Sequence, residues 1–129
     1  MNNYVLDSSA FLAYLWQEPG WQTVENLMLE QRVAMSVVNV SEVIAKAIDR
    51  GLPIENAEVL LASLEVEQID FNGMLALQTA LLRPLTRHRG LSLGDRACLA
   101  LAKSMNAIAL TADKPWLELE LGIRVECIR

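Results

Sequence analysis

Short apolar runs recur along this chain with helical patterns between them, and that alternation constrains the fold more than any other feature. The runs are Tyr4–Leu6, Val33–Met35, Val66–Ile69, Ile108–Thr111 and Val125–Ile128. Between them, the spacing of apolar residues predicts helices over Ser9–Leu15, Trp21–Glu30 and Val38–Asp49, then from near Pro53 to about Leu64. Further helices are predicted over Gly73–Thr86 and Leu93–Met105, with a short one over Pro115–Leu119. The turn Glu18-Pro19-Gly20 separates the first two helices, Gly51 stops the third, and Pro84 is expected to bend or end its own. Strands alternating with helices imply a parallel sheet covered on both faces. Crossovers in such a sheet are right-handed, and ligands bind beyond the carboxyl ends of the strands.

A chain of 129 residues is expected to form one domain spanning 1–129, large enough to bury a core without disulfides or metal. No apolar run reaches the roughly 18 residues a membrane span needs. The opening MNNYVLDSSAF has neither a basic n-region nor a long apolar one, so no signal peptide is expected and the predicted location is the cytoplasm. Cys98 and Cys127 fit no metal-binding spacing and read as small apolar residues of a reduced protein. Sixteen acidic residues against eleven Lys and Arg give a formal net charge of −5. That argues against holding nucleic acid on a broad basic face, but not against reaching it through a bound cation.

Four carboxylates fall where strands end or helices begin. Asp7 follows the run YVL, Glu42 lies one turn into VNVSEVIAKAI, Asp95 opens LGDRACLALA, and Asp113 follows IALTA. Each has an ordinary explanation. Asp7 and Asp113 suit helix N-caps, Ser92-Leu-Gly-Asp95 matches a capping box, and Glu42 is spaced to pair with Lys46. The four also fit a joint role. Glu42 is flanked by Val40, Val43, Ile44 and Ala45, and Asp95 leads a helix that is apolar nearly all round. Carboxylates gathered at such a place repel and raise one another's pKa, and a hard divalent cation such as Mg²⁺ or Mn²⁺ relieves that conflict. A cation so held can activate water and stabilise the attacking and leaving oxygens of a phosphodiester.

Other chemistries are poorly supplied. The one histidine, His88, sits in RPLTRHRG and reads as a surface residue. There is no GxGxxG, no GxxxxGK[ST], and no CxxC or His/Cys cluster of zinc type. The run Arg83, Arg87, His88, Arg89 suits a helix C-terminus or, alternatively, phosphate contact. Arg96 and Lys114 adjoin two of the acids and either relieve repulsion or touch the scissile phosphate. Trp16, Trp21 and Trp116 are assigned to packing or an interface in preference to base stacking.

The order YVLDSSAFLAYL, SVVNVSEVIAKA, then GLSLGDRACLALAKSMNAIALTADKPW resembles the PIN-domain ribonucleases, and most nearly the VapC-type toxins of bacterial toxin–antitoxin pairs. The resemblance covers essentially the whole chain. It implies an α/β/α sandwich with a parallel sheet of four or five strands. It implies that Asp7, Glu42, Asp95 and Asp113 form an acidic pocket for Mg²⁺ or Mn²⁺, with Ser9 and Thr111 as the hydroxyls beside it. It also implies metal-dependent endonucleolytic cleavage of RNA, commonly tRNA or ribosomal RNA. Implied partners are a second copy of the chain, in a homodimer or a higher assembly, and a cognate antitoxin that holds the toxin inactive. On this reading Asp7, Glu42 and Asp95 are primary ligands, Asp113 is the fourth, and Arg87, Arg89, Arg96 and Lys114 are substrate-binding candidates. Two rivals stand beside it: a phosphoacceptor domain of receiver type, and a catalytically silent PIN-fold interaction protein. The chain lacks a paired acid at its first strand, which counts against the receiver reading.

Overall fold

The computed structural model describes residues 3–129. It contains five strands, β1 (Tyr4–Leu6), β2 (Val33–Ser36), β3 (Glu67–Ile69), β4 (Ile108–Thr111) and β5 (Val125–Cys127). They form one sheet in the order β3-β2-β1-β4-β5, and every adjacent pair is parallel. Seven α-helices connect them: α1 (Ser8–Leu15), α2 (Trp21–Glu30), α3 (Val37–Asp49), α4 (Ala57–Ser63), α5 (Gly73–Leu81), α6 (Arg83–Thr86) and α7 (Leu93–Met105). The predicted α/β/α sandwich with a parallel sheet is therefore the observed one, with five strands. No helix among the described residues is long and apolar enough to cross a membrane.

Successive strand residues point to opposite faces, and the core divides accordingly. Val5, Ala34 and Ala109 pack on one face with Leu75, Leu82, Trp116 and the buried residues of α7. Leu6, Met35 and Leu110 pack on the other face with Ala10 and Phe11 of α1, Val24 of α2, and Val40 and Val43 of α3. Both faces are covered, which is why these strands read as continuous apolar runs rather than alternating ones. Each fully buried Leu or Val contributes about 1.5–3 kcal/mol.

Helix α7 forms where its sequence says it must. Ser92 Oγ accepts from the Asp95 N–H at 3.2 Å, and Asp95 Oδ2 accepts from the Ser92 N–H at 3.0 Å, a complete capping box. Its interior is rich in Ala and Leu, strong helix formers, and it ends at Asn106 in the left-handed conformation with φ 51°.

Two predicted helices are divided. The segment from Pro53 becomes a 3₁₀ turn at Ile54–Asn56 followed by α4. The Gly73–Thr86 helix breaks at Leu82 into α5 and α6, because Pro84 lacks an amide hydrogen and crowds the preceding turn. The short helix predicted at Pro115–Leu119 is a 3₁₀ segment at Lys114–Glu118.

The chain reverses at the strand order's centre: β1, β2 and β3 run to one side, then β4 and β5 fill the other. The gap between the carboxyl ends of β1 and β4 is the point where such sheets bind ligands.

Two of the four glycines with positive φ, Gly20 and Gly51, adopt it for different reasons. Gly51, at φ +108°, follows α3 in open space; a Cβ at Gly20, at φ +94°, would lie 2.6 Å from the Ile128 carbonyl oxygen. Gly51→Ala is expected to cost about 1–2 kcal/mol from backbone strain alone, and Gly20→Ala about 2–3 kcal/mol because the clash is added. Urea midpoints measure both; equal costs would contradict close packing of the α1–α2 turn on Ile128.

Candidate active site

Asp7 leaves β1 at that switch point, and its carboxylate is buried at 3% exposure. It is the N-cap of α1: Asp7 Oδ1 accepts from the Ala10 N–H at 2.8 Å. Ser9 Oγ donates to the same carboxylate at 2.8 and 2.9 Å, and Thr111 Oγ1 donates to Oδ2 at 2.6 Å. Each hydroxyl has one proton, and Asp7 takes both. The 3.3 Å contact between Ser9 Oγ and Thr111 Oγ1 therefore has no proton of its own while Asp7 is ionised. As acceptors, Ser9 Oγ takes the Ala112 N–H at 3.0 Å and Thr111 Oγ1 takes the Asp113 N–H at 3.0 Å. The two hydroxyls thus join the start of α1 to the end of β4.

Burial pushes the Asp7 carboxyl up from 3.8 to about 6. Hydrogen bonds from Thr111, Ala10 and Ser9 pull the other way, and the charge of Asp95 adds to the rise.

Glu42 is half-buried on α3. Its Oε1 accepts from Ser8 Oγ at 3.0 Å and from Asn39 Nδ2 at 3.0 Å. Asn39, 1% exposed, also donates through Nδ2 to the Gly94 carbonyl at 3.0 Å. A Cβ at Gly94 would run into the Glu42 carboxylate, so only glycine lets α7 pass so close. The predicted ion pair of Glu42 with Lys46 is not formed; Glu42 faces α1 and α7 instead.

Asp95 stands one residue beyond Gly94. Its Oδ2 is held by its own cap, while Oδ1 takes no hydrogen bond among the described residues. The buried Cys98 thiol registers the grouping: burial pushes its pKa up, and the charges of Asp7, Asp95 and Glu42 each add. Asp113 lies at the rim, exposed, and its side chain makes no cap hydrogen bond. Its predicted role as an N-cap is corrected: the backbone at Asp113 opens the 3₁₀ turn without it.

Three of the four acids, with Ser9 and Thr111, are thus gathered at one end of the sheet. Among the described residues, no three His, Cys, Asp or Glu side chains are already arranged to hold a cation. The physical reason is visible: Asp95 is turned back to Ser92, and Glu42 is engaged by Ser8 and Asn39. The donor set still suits a hard cation, being all oxygen, mutually repulsive and partly desolvated.

The basic candidates lie elsewhere. Arg89 Nη1 pairs with Glu118 at 2.9 Å, and Arg96 Nη1 donates to the Thr79 carbonyl at 3.2 Å. Arg87 and Lys114 are exposed, as is His88. Sequence reasoning missed Ser8, Asn39 and Gly94, the residues that orient Glu42. Asn39 sits one turn before Glu42 on the same helix face, a signal that was available; the contact to Gly94 was not.

A family model described as the PIN domain matches residues 4–120. No curated protein sequence matches the chain. Among solved structures, a chain of the DNA-bound VapBC from Salmonella typhimurium superposes with a TM-score of 0.77 at 19% identity, covering 100% of both chains. FitAcB from Neisseria gonorrhoeae gives a TM-score of 0.71 at 19% identity over 97% of each chain. VapBC-5 from Mycobacterium tuberculosis gives 0.60 at 25% identity over 100% of this chain and 99% of that one.

The raised Asp7 pKa fixes a sign for stability. The folded state holds this proton more tightly than the unfolded chain, so the contribution of Asp7 to stability is full below about pH 4 and is lost as pH rises through about 6, by about 3 kcal/mol. Asp7→Asn is expected to remove this fall. Urea unfolding of both proteins against pH, in EDTA, tests it; parallel curves would show that Asp7 is not the group responsible.

Proposed function

The chain belongs to the PIN domain family, and from that premise we infer that it is a Mg²⁺- or Mn²⁺-dependent endoribonuclease. The reading rests chiefly on one observation: a buried carboxylate, Asp7, held by Ser9 and Thr111 at the sheet's switch point and within reach of the charge of Asp95.

Asp7, Glu42 and Asp95 would hold the cation, with Asp113 as the outer ligand. When bound, the cation supplies a Lewis acid beside the phosphate and neutralises the carboxylates. The chain's own residues supply orientation. Ser9, Thr111 and the Ala10 amide fix both oxygens of Asp7. Ser8 and Asn39 aim Glu42. The capping box leaves Asp95 one unengaged oxygen. Hydrolysis by this route leaves a 5′-phosphate and a 3′-hydroxyl, on tRNA or ribosomal RNA as substrate.

The relative VapBC-5, a member of the VapBC family of toxin–antitoxin systems, supports a toxin role with a cognate antitoxin as partner. A homodimer is supported by the exposed apolar stripe Met74, Leu77, Leu81 and Leu85 along α5 and α6. The silent-interaction reading has one observation behind it, the absence among the described residues of a ready-made three-carboxylate cluster.

Purified protein incubated with total tRNA and ribosomal RNA is expected to give discrete fragments with Mg²⁺ or Mn²⁺ and none with EDTA. Asp7→Asn, Glu42→Gln and Asp95→Asn should each slow cleavage by about a thousandfold while the protein still melts cooperatively. Wild-type rates in Asp95→Asn, or cutting in EDTA, would sink the reading. Calorimetry showing no Mg²⁺ or Mn²⁺ binding, together with no cleavage, would favour the silent alternative.

A further inference from the structure

A second feature lies beside the acidic pocket. Along α1 and its C-cap, Ser9, Leu12 and Trp16 follow one another at spacings of three and four, so they line one side. Along α3 and its C-cap, Glu42, Lys46 and Arg50 do the same at successive steps of four. Ser9, Leu12 and Trp16 of the first row and Lys46 and Arg50 of the second line a hollow of about 300 Å³. Its wall is continuous with the catalytic carboxylates, because Ser9 bonds Asp7. Lys46 and Arg50 stand about 6 and 12 Å along α3 from Glu42.

The chemistry of the hollow is specific. The Arg50 guanidinium lies 3.9 Å above the Trp16 ring, a cation–π stack that holds the side chain flat. Arg129 also lines the hollow and is tied by Nη1 to the Pro19 carbonyl at 3.1 Å. Three of the chain's eleven Lys and Arg residues therefore meet here. Glu18 and Asp49 share the rim, which disfavours a lone phosphate ion and favours a ligand that stacks as well as pairs. Arg89 and Arg96 are engaged elsewhere, by Glu118 and the Thr79 carbonyl.

We propose that this groove between α1 and α3 is the subsite for single-stranded RNA next to the cleaved bond. Lys46 and Arg50 take successive phosphates, and the Arg50–Trp16 stack offers a planar platform to a base. The proposal rests on the ribonuclease reading above and names where its substrate lies.

The test is binding, kept separate from cleavage. Fluorescence anisotropy with a labelled single-stranded RNA of about ten nucleotides, in EDTA, is followed between about 50 and 200 mM salt. Lys46→Gln and Arg50→Gln should each weaken binding roughly five- to tenfold and reduce the salt slope by about one. Arg50→Lys should restore the slope but not the affinity, because the charge returns without the flat stack. Lys103→Gln, on the exposed end of α7, should change neither, and thermal melting confirms that each variant is folded. Wild-type affinity and slope in both Lys46→Gln and Arg50→Gln overturn the subsite, as does failure of the wild-type chain to bind the RNA. If binding depends on Lys46 and Arg50 but no metal restores cleavage, the groove stands as a single-stranded RNA site and the nuclease reading falls. If cleavage is metal-dependent and both variants bind normally, the reverse holds.

Discussion

A carboxylate removed from water has to be supplied with donors by the protein, and at Asp7 those donors come from three places in the chain. Ala10 offers a backbone amide from the first turn of α1, Ser9 a hydroxyl from the same turn, and Thr111 a hydroxyl from the end of β4. The arrangement dictates much else. Helix α1 must begin immediately after β1, because Asp7 is its cap. Strand β4 must lie beside β1, because Thr111 reaches no farther than its own side chain. The hydrogen bonds do not fully repay the loss of hydration, as the raised proton affinity of Asp7 shows. The site is held in a state that a positive charge would relieve.

The second constraint is the crossing of α3 and α7. Small residues let α7 approach the sheet closely enough for the Cys98 thiol to donate to the Val5 carbonyl at 3.8 Å. At the same crossing, Gly94 leaves room for the Glu42 carboxylate and Asn39 bridges the two helices. Packing and chemistry are one feature here. The helix that fills the core is the helix that carries Asp95, and its apolar sequence is what brings a charged residue to the edge of the interior.

Much of this was legible in the sequence. The limits of α7, α2, β1 and β4 follow directly from caps and apolar runs, because those signals are local. Asp7 and Asp95 are both caps and members of the acidic group, so the local cap signal was enough to place them at the starts of α1 and α7. What was not legible depended on contacts distant in sequence. The turn of Glu42 away from Lys46 is set by Ser8, 34 residues before it. The bridge from Asn39 to Gly94 spans 55 residues. The engagement of Arg89 by Glu118 likewise needed the fold. The division of the Gly73–Thr86 helix at Leu82 was signalled by Pro84, but its position within the turn was not.

The hydrogen bond between Thr111 and Asp7 joins residues 104 apart, and β1 has no partner on its β4 side until Ile108–Thr111 exist. During synthesis, every earlier stretch of chain can be made while Asp7 still lacks one of its donors and one wall of its cleft. Parallel pairings of such long range form late and slowly. The order of the strands therefore sets an order of assembly: the acidic cleft cannot close before Ile108–Thr111 has been made, so a chain that stops short of β4 lacks one wall of it.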